Sequence, residues 1–81
     1  MSDRNRPEVW TEFFARHEIG DELEATVTSV VRFGAFAELS EGVDGLIHES
    51  VMARPLAPGD HVRVRILDID EARRRISLGP A

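Results

Sequence analysis

Along the chain the hydrophobic positions follow first one period and then another. In residues 7–17, PEVWTEFFARH, the residues Trp10, Phe13, Phe14 and His17 recur three or four apart and share one stripe of a helix. Pro7 suits the first helical position, where its missing N–H costs nothing. The spacing predicts a short amphipathic helix, with the first six residues as an unstructured tail. Beyond Gly20-Asp21 the period drops to two. Leu23, Ala25, Val27, Ser29 and Val31 alternate with Glu24, Thr26, Thr28, Val30 and Arg32, the pattern of a half-buried strand. Gly34 permits a bend, and Ala35, Ala37 and Leu39 alternate with Phe36, Glu38 and Ser40 in a second strand that ends at Glu41-Gly42.

A third, short strand is predicted over Val43 to Glu49, kinked near Gly45, followed by a loop from Ser50 to Pro58 with room for one helical turn. Pro58-Gly59-Asp60 restarts regular structure. Val62, Val64 and Ile66 then point inward between Arg63 and Arg65, Asp70 to Arg73 forms a hairpin connection, and Ile76 and Leu78 face inward in a fifth strand with Arg75 and Ser77 outward. The segments IGDELEATV and PGDHVRVRI echo each other and are read as two similar turns. Five short strands with one long connection suit a small closed barrel better than a sandwich. The expected fold is all-β: a five-stranded antiparallel OB-fold Greek-key barrel with a short N-terminal α-helix. Residues 1–18 form the tail and helix and residues 19–79 the barrel.

Composition narrows the chemistry. The chain has 81 residues, enough for one small core, and no cysteine, which removes disulfides, thiolate metal sites and thiol nucleophiles. His17, His48 and His61 lack zinc-ligand spacing, and no Gly-rich phosphate loop or serine–base motif is present. No cofactor and no catalytic role is expected. The absence of an apolar run of span length and of a signal-peptide pattern predicts a cytoplasmic chain without membrane attachment. A formal net charge of −5 opposes polyanion binding if it is evenly spread. Along the sequence it is uneven: residues 61–81 hold five arginines against three acids. Arg63, Arg65, Arg73, Arg74 and Arg75 thus make a basic strip on an acidic body, and every cationic residue is an arginine.

Phe33 and Phe36 admit two readings. Phenylalanine is usually core. Yet if Ala35, Ala37 and Leu39 fill the barrel, Phe36 must point outward, with Phe33 close by at the bend. Two outward rings on a barrel are a platform on which unpaired bases stack. His48, in DGLIHES, is either an ordinary surface histidine or a ring and donor beside that platform. Strand parity projects Arg75 outward, where it can pair with phosphate. Arg73 and Arg74 lie nearer the turn that Asp70 starts.

These residues resemble a known family. IGD, ATV, RFGAFAEL, DGLIHES, PGDHVRVRILDID and RRRISLG follow one another in the order and spacing of the S1 RNA-binding domain, from Ile19 to Gly79. Ala25, Ala37 and Glu49 depart from the family's usual glycine, larger aliphatic and apolar residue. The resemblance implies an OB barrel that binds single-stranded RNA on one face without catalysis, through Phe33, Phe36, His48, Asp70 and a hairpin arginine. That arginine falls on Arg75, with Arg74 as competitor. The implied partner is single-stranded RNA, bound weakly and with low sequence selectivity by a monomer in translation or RNA metabolism. The alternative is a protein-docking module that attaches to the ribosome or an RNA-degradation partner through its acidic surface and the Trp10, Phe13, Phe14 stripe.

Overall fold

The computed structural model describes residues 7–52 and 54–81. The expected tail over residues 1–6 lies outside them. One helix, α1 (Pro7–Arg16), precedes five strands: β1 (Glu22–Val31), β2 (Gly34–Ser40), β3 (Val43–His48), β4 (His61–Asp70) and β5 (Arg75–Pro80). A 3₁₀ turn, Glu49–Val51, is the helical turn expected after β3. The strands close into a barrel in the order β1-β2-β3-β5-β4. Four of its seams are antiparallel; β3 and β5 run parallel, joined at Leu46 with Ser77 and Ile47 with Leu78. The expected five-stranded OB-type barrel with its N-terminal helix is what the chain forms, mostly antiparallel, with this one parallel seam. Closure removes every free sheet edge.

Alternation fills the interior with Ala25, Val27, Ala35, Ala37, Val43, Ile47, Val64, Ile66, Ile76 and Leu78, all buried. Gly45 belongs to this inner row rather than to a kink. A Cβ there would stand 2.8 Å from Leu78 Cδ1 and 3.0 Å from the Ile76 carbonyl oxygen. Trp10 and Phe13, only 5% and 4% exposed, complete the core from α1. Trp10 and Phe13 of the stripe that the docking alternative would use are therefore turned onto the barrel, with Phe14 partly buried beside them. His17 finishes the helix: its ring stacks on Phe13 at 4.2 Å and its Nδ1 donates to the Phe13 carbonyl oxygen at 3.1 Å.

The two Gly-Asp turns are the same object built twice. Asp21 Oδ2 accepts from the Glu18 N–H and Asp60 Oδ2 from the Ala57 N–H, at 3.1 and 3.0 Å. Gly20 and Gly59 take φ of +99° and +94°, which a side chain would strain. Each turn then docks on the other's strand. Gly20 N–H bonds the Ile66 carbonyl and Gly59 N–H the Val27 carbonyl. Immediately beyond those two residues each strand bulges, between Val27 and Ser29 and between Ile66 and Asp68. The bulge reverses the inward and outward sense of β1, so Ser29 is exposed rather than inward as its place in the alternation predicts.

Candidate nucleic-acid interface

The outward residues of β2, β3 and β5 form one face, because the register carries a continuous row around the barrel. Ser29 pairs with Phe36, Phe36 with Leu46, Leu46 with Ser77, and Ser77 with Asp68. Phe33 sits in the two-residue turn between β1 and β2, held by a 2.9 Å bond from the Glu49 N–H to its carbonyl oxygen. Its ring is 48% exposed and meets the half-buried Phe36 ring edge to face, with centroids 6.3 Å apart. Neither ring belongs to the core. A groove of about 500 Å³ runs from this pair across Leu46 and Ser77 to Arg74 and Arg75, with Asp44 on its wall.

Four of the six expected site residues, Phe33, Phe36, Arg74 and Arg75, thus line one groove. His48 stands beside it, paired in register with Gly34 and exposed. Its Nδ1 accepts from the Ser50 N–H at 3.2 Å and lies 2.8 Å from Ser50 Oγ, so hydrogen bonding assigns the proton of the neutral ring to Nε2. The 3₁₀ turn therefore orients the imidazole as an outward donor. Asp70 is placed differently. Its Oδ1 accepts from the Arg73 N–H at 3.1 Å and its Oδ2 lies 3.9 Å from Arg73 Nε, so it builds the hairpin under the groove instead of lining it. Arg74 takes φ +53° at the apex, and Arg75 pairs with Asp70 across the strands.

The basic strip does not survive folding. Arg63 and Arg65 lie over Glu22 at 3.5 and 2.6 Å on the β1–β4 side, and Arg65, with Arg63 adding to it, holds the Glu22 carboxyl below the ordinary carboxylate value. Leu46, Asp44 and Ser77 were absent from the expected site. The alternation of Asp44, Leu46 and His48 outward along β3 carried a signal for the first two; Ser77 was already placed outward, but the parallel seam that brings it beside Leu46 left no mark. Among the described residues no cluster of three His, Asp or Glu side chains could hold a metal ion, and no helix is long and apolar enough to cross a membrane.

Fold and groove together define a five-stranded OB-type barrel with an aromatic outer face, an architecture used to bind oligonucleotides. The family model of the S1 RNA binding domain matches residues 16–79. The chain belongs to that family. It is 46% identical to the small ribosomal subunit protein bS1 of Pseudomonas aeruginosa, over 86% of this chain and 14% of that protein. It therefore spans about one seventh of that relative's length. The solution structure of GSP13 from Bacillus subtilis is similar with a TM-score of 0.71 and 34% identity, over 78% of this chain and 55% of the other. The a/eIF2alpha–aDim2p–rRNA complex from Pyrococcus horikoshii contains a chain similar with a TM-score of 0.72 and 27% identity, over 78% of this chain and 44% of that one. The matched segment begins at residue 16, so α1 lies almost wholly before it.

Proposed function

We propose that this chain is a non-catalytic, monomeric module that binds single-stranded RNA in the cytoplasm, in translation or RNA metabolism. The exposed Phe33 ring, set against Phe36 in a groove ending at two arginines, carries the reading. Each ring offers a face to a base, worth ~1–3 kcal/mol per base stacked. His48 Nε2–H donates to the RNA alongside, and Arg74 and Arg75 meet phosphate, with Asp70 fixing the hairpin that presents them. Stacking engages faces that all bases share, which supports low sequence selectivity. The closed barrel, with no free edge to pair with another copy, supports a monomer. Membership of the S1 family and the ribosomal-protein relative support the RNA ligand and its setting.

With a single small platform on an acidic body, the affinity belongs near the ~10⁻⁴–10⁻⁶ M of non-specific contacts and falls with salt. The test is a titration of isotopically labelled protein with a short unstructured RNA at low salt, followed by amide and aromatic NMR shifts. Shifts centred on Phe33, Phe36, His48 and Arg75 that shrink as salt rises are expected. Absence of shifts at millimolar RNA overturns the reading.

A further inference from the structure

Eight arginines fall among the described residues, and their partners divide them cleanly. Arg16 is bound to Glu12 at 3.0 Å, Arg54 to Asp60 at 3.8 Å, Arg63 and Arg65 to Glu22, and Arg73 to Asp70. Among the described residues, Arg32, Arg74 and Arg75 have no carboxylate within 4 Å and no hydrogen bond from the guanidinium. On a chain of net charge −5, three arginines among the described residues are therefore uncompensated, and they stand at the two ends of the aromatic face. Arg74 and Arg75 close one end of the aromatic groove. Arg32 is the chain neighbour of Phe33 in the two-residue turn at the other end, fixed by the pairing of Val31 with Gly34 and by the Glu49 bond to the Phe33 carbonyl.

Resting on the RNA-binding reading, we infer that Arg32 is a further phosphate-binding residue, and that the RNA backbone is held at both ends of the face with the phenylalanine rings between. The span fits. From the Arg32 turn to Arg75 is a diagonal over β2, β3 and β5 of two strand spacings and about five residues, on the order of 20 Å between backbones. Two anchors so far apart engage different phosphates and set a direction across the rings. Arg32 is exposed and its guanidinium has no ion pair or hydrogen bond among the described residues, so it is available without breaking a contact there. A phosphate contact carries no base information. Arg32 therefore adds affinity equally for all sequences.

Counterion release makes this measurable. Each phosphate neutralised on a single strand contributes about 0.7 to the slope of log K against log salt. The three free arginines of the described residues contribute about −2.1 to the slope, and Arg32→Gln reduces that contribution to about −1.4. At 50 mM salt the lost contact corresponds to a roughly eight-fold weakening, the same for each base composition. The experiment measures binding of fluorescein-labelled oligo(U), oligo(A) and oligo(C) from 20 to 300 mM salt by anisotropy. It compares the unaltered protein with Arg32→Gln, Arg32→Lys and Arg16→Gln, each checked for folding by its NMR amide spectrum. A lower slope in Arg32→Gln on all three probes, with Arg32→Lys and Arg16→Gln unchanged, is the expected result. An unchanged slope in Arg32→Gln overturns the inference alone, whether or not affinity falls. An equal loss in Arg16→Gln also overturns it, because it shows a diffuse net-charge effect. Failure of the unaltered protein to bind any probe removes the RNA-binding reading, and this inference with it.

Discussion

Trp10 connects the helix to the fold, and replacing it with alanine tests that connection. The indole is 5% exposed, packs 5.8 Å from the Phe14 ring, and joins Phe13 in a core otherwise supplied by the strands. Truncating a buried aromatic to alanine costs about 3–5 kcal/mol from lost transfer energy and the cavity left behind. A chain of 81 residues holds about 4–12 kcal/mol of stability in all, so Trp10→Ala removes roughly a quarter of it or more. At about 4–8 °C per kcal/mol for a domain of this size, the midpoint falls by roughly 12–40 °C. Thermal unfolding by circular dichroism measures it. The single tryptophan gives an independent reading, because a buried indole emits to the blue of a solvated one. A midpoint loss below about 5 °C, together with solvated emission from the unaltered folded protein, refutes the packing of α1 on the barrel. It would also return the aromatic stripe to the surface as a docking face.

Phe33→Ala weakens RNA binding by about 5- to 150-fold through loss of one stacked base, while its 48% exposure limits the shift in unfolding midpoint to a few degrees; titration and thermal melts of the same sample separate the two. Gly34→Ala unfolds or severely destabilises the barrel, since the added Cβ would overlap the Ile47 carbonyl oxygen in the adjoining strand, and a near-native melting curve would disprove the β2–β3 register. Acid titration should expose Glu22. Arg65 hydrogen-bonds its carboxylate and holds its pKa below the ordinary 4.5, so the ion cluster stabilises the fold fully above that value and is lost as pH falls through the lower folded value. Glu22→Gln flattens the dependence of the unfolding midpoint on pH below about 4.5. An identical acid profile in the variant contradicts the assignment.

Element type was readable because period-2 alternation is enforced by a barrel whose interior is entirely apolar: Val62, Val64 and Ile66 could face only one way. The bulges escaped notice because nothing local announces them. Thr28 and Leu67 are ordinary strand residues, and at each bulge a Gly-Asp turn more than thirty positions away in the sequence occupies the ladder. The echo between IGD and PGD was visible; that each turn binds the other's strand was not. Phe36 and Arg75 were placed outward by parity alone, correctly, since both lie short of any irregularity on their own strands. The helical stripe was equally legible as a stripe. Its burial was not, because periodicity reports that a face is apolar and says nothing of what covers it.

Charge was the property least legible along the chain, and the reason bears on how an acidic protein attracts a polyanion. Counting arginines by segment grouped Arg63, Arg65 and Arg73 with Arg74 and Arg75, but β1 brings Glu22 beneath the first two and the hairpin brings Asp70 to the third. Antiparallel pairing sets residues of distant segments opposite each other, so Glu22, counted with the acidic N-terminal part, cancels charge counted with the basic C-terminal part. Pairing of this kind adds little to stability at an exposed surface. Its effect on the field is larger, because neutralised arginines no longer compete for phosphate; among the described residues the unneutralised ones are Arg74 and Arg75, which line the aromatic groove, and Arg32, beside Phe33 in the turn. The remaining acids repel RNA from the rest of the surface, and beyond a Debye length of ~8 Å at physiological salt that repulsion is screened. On the proposed reading, an RNA strand is drawn to the face where the arginines of the described residues are unneutralised. Orientation comes from where the carboxylates have already been taken up, rather than from an excess of positive charge.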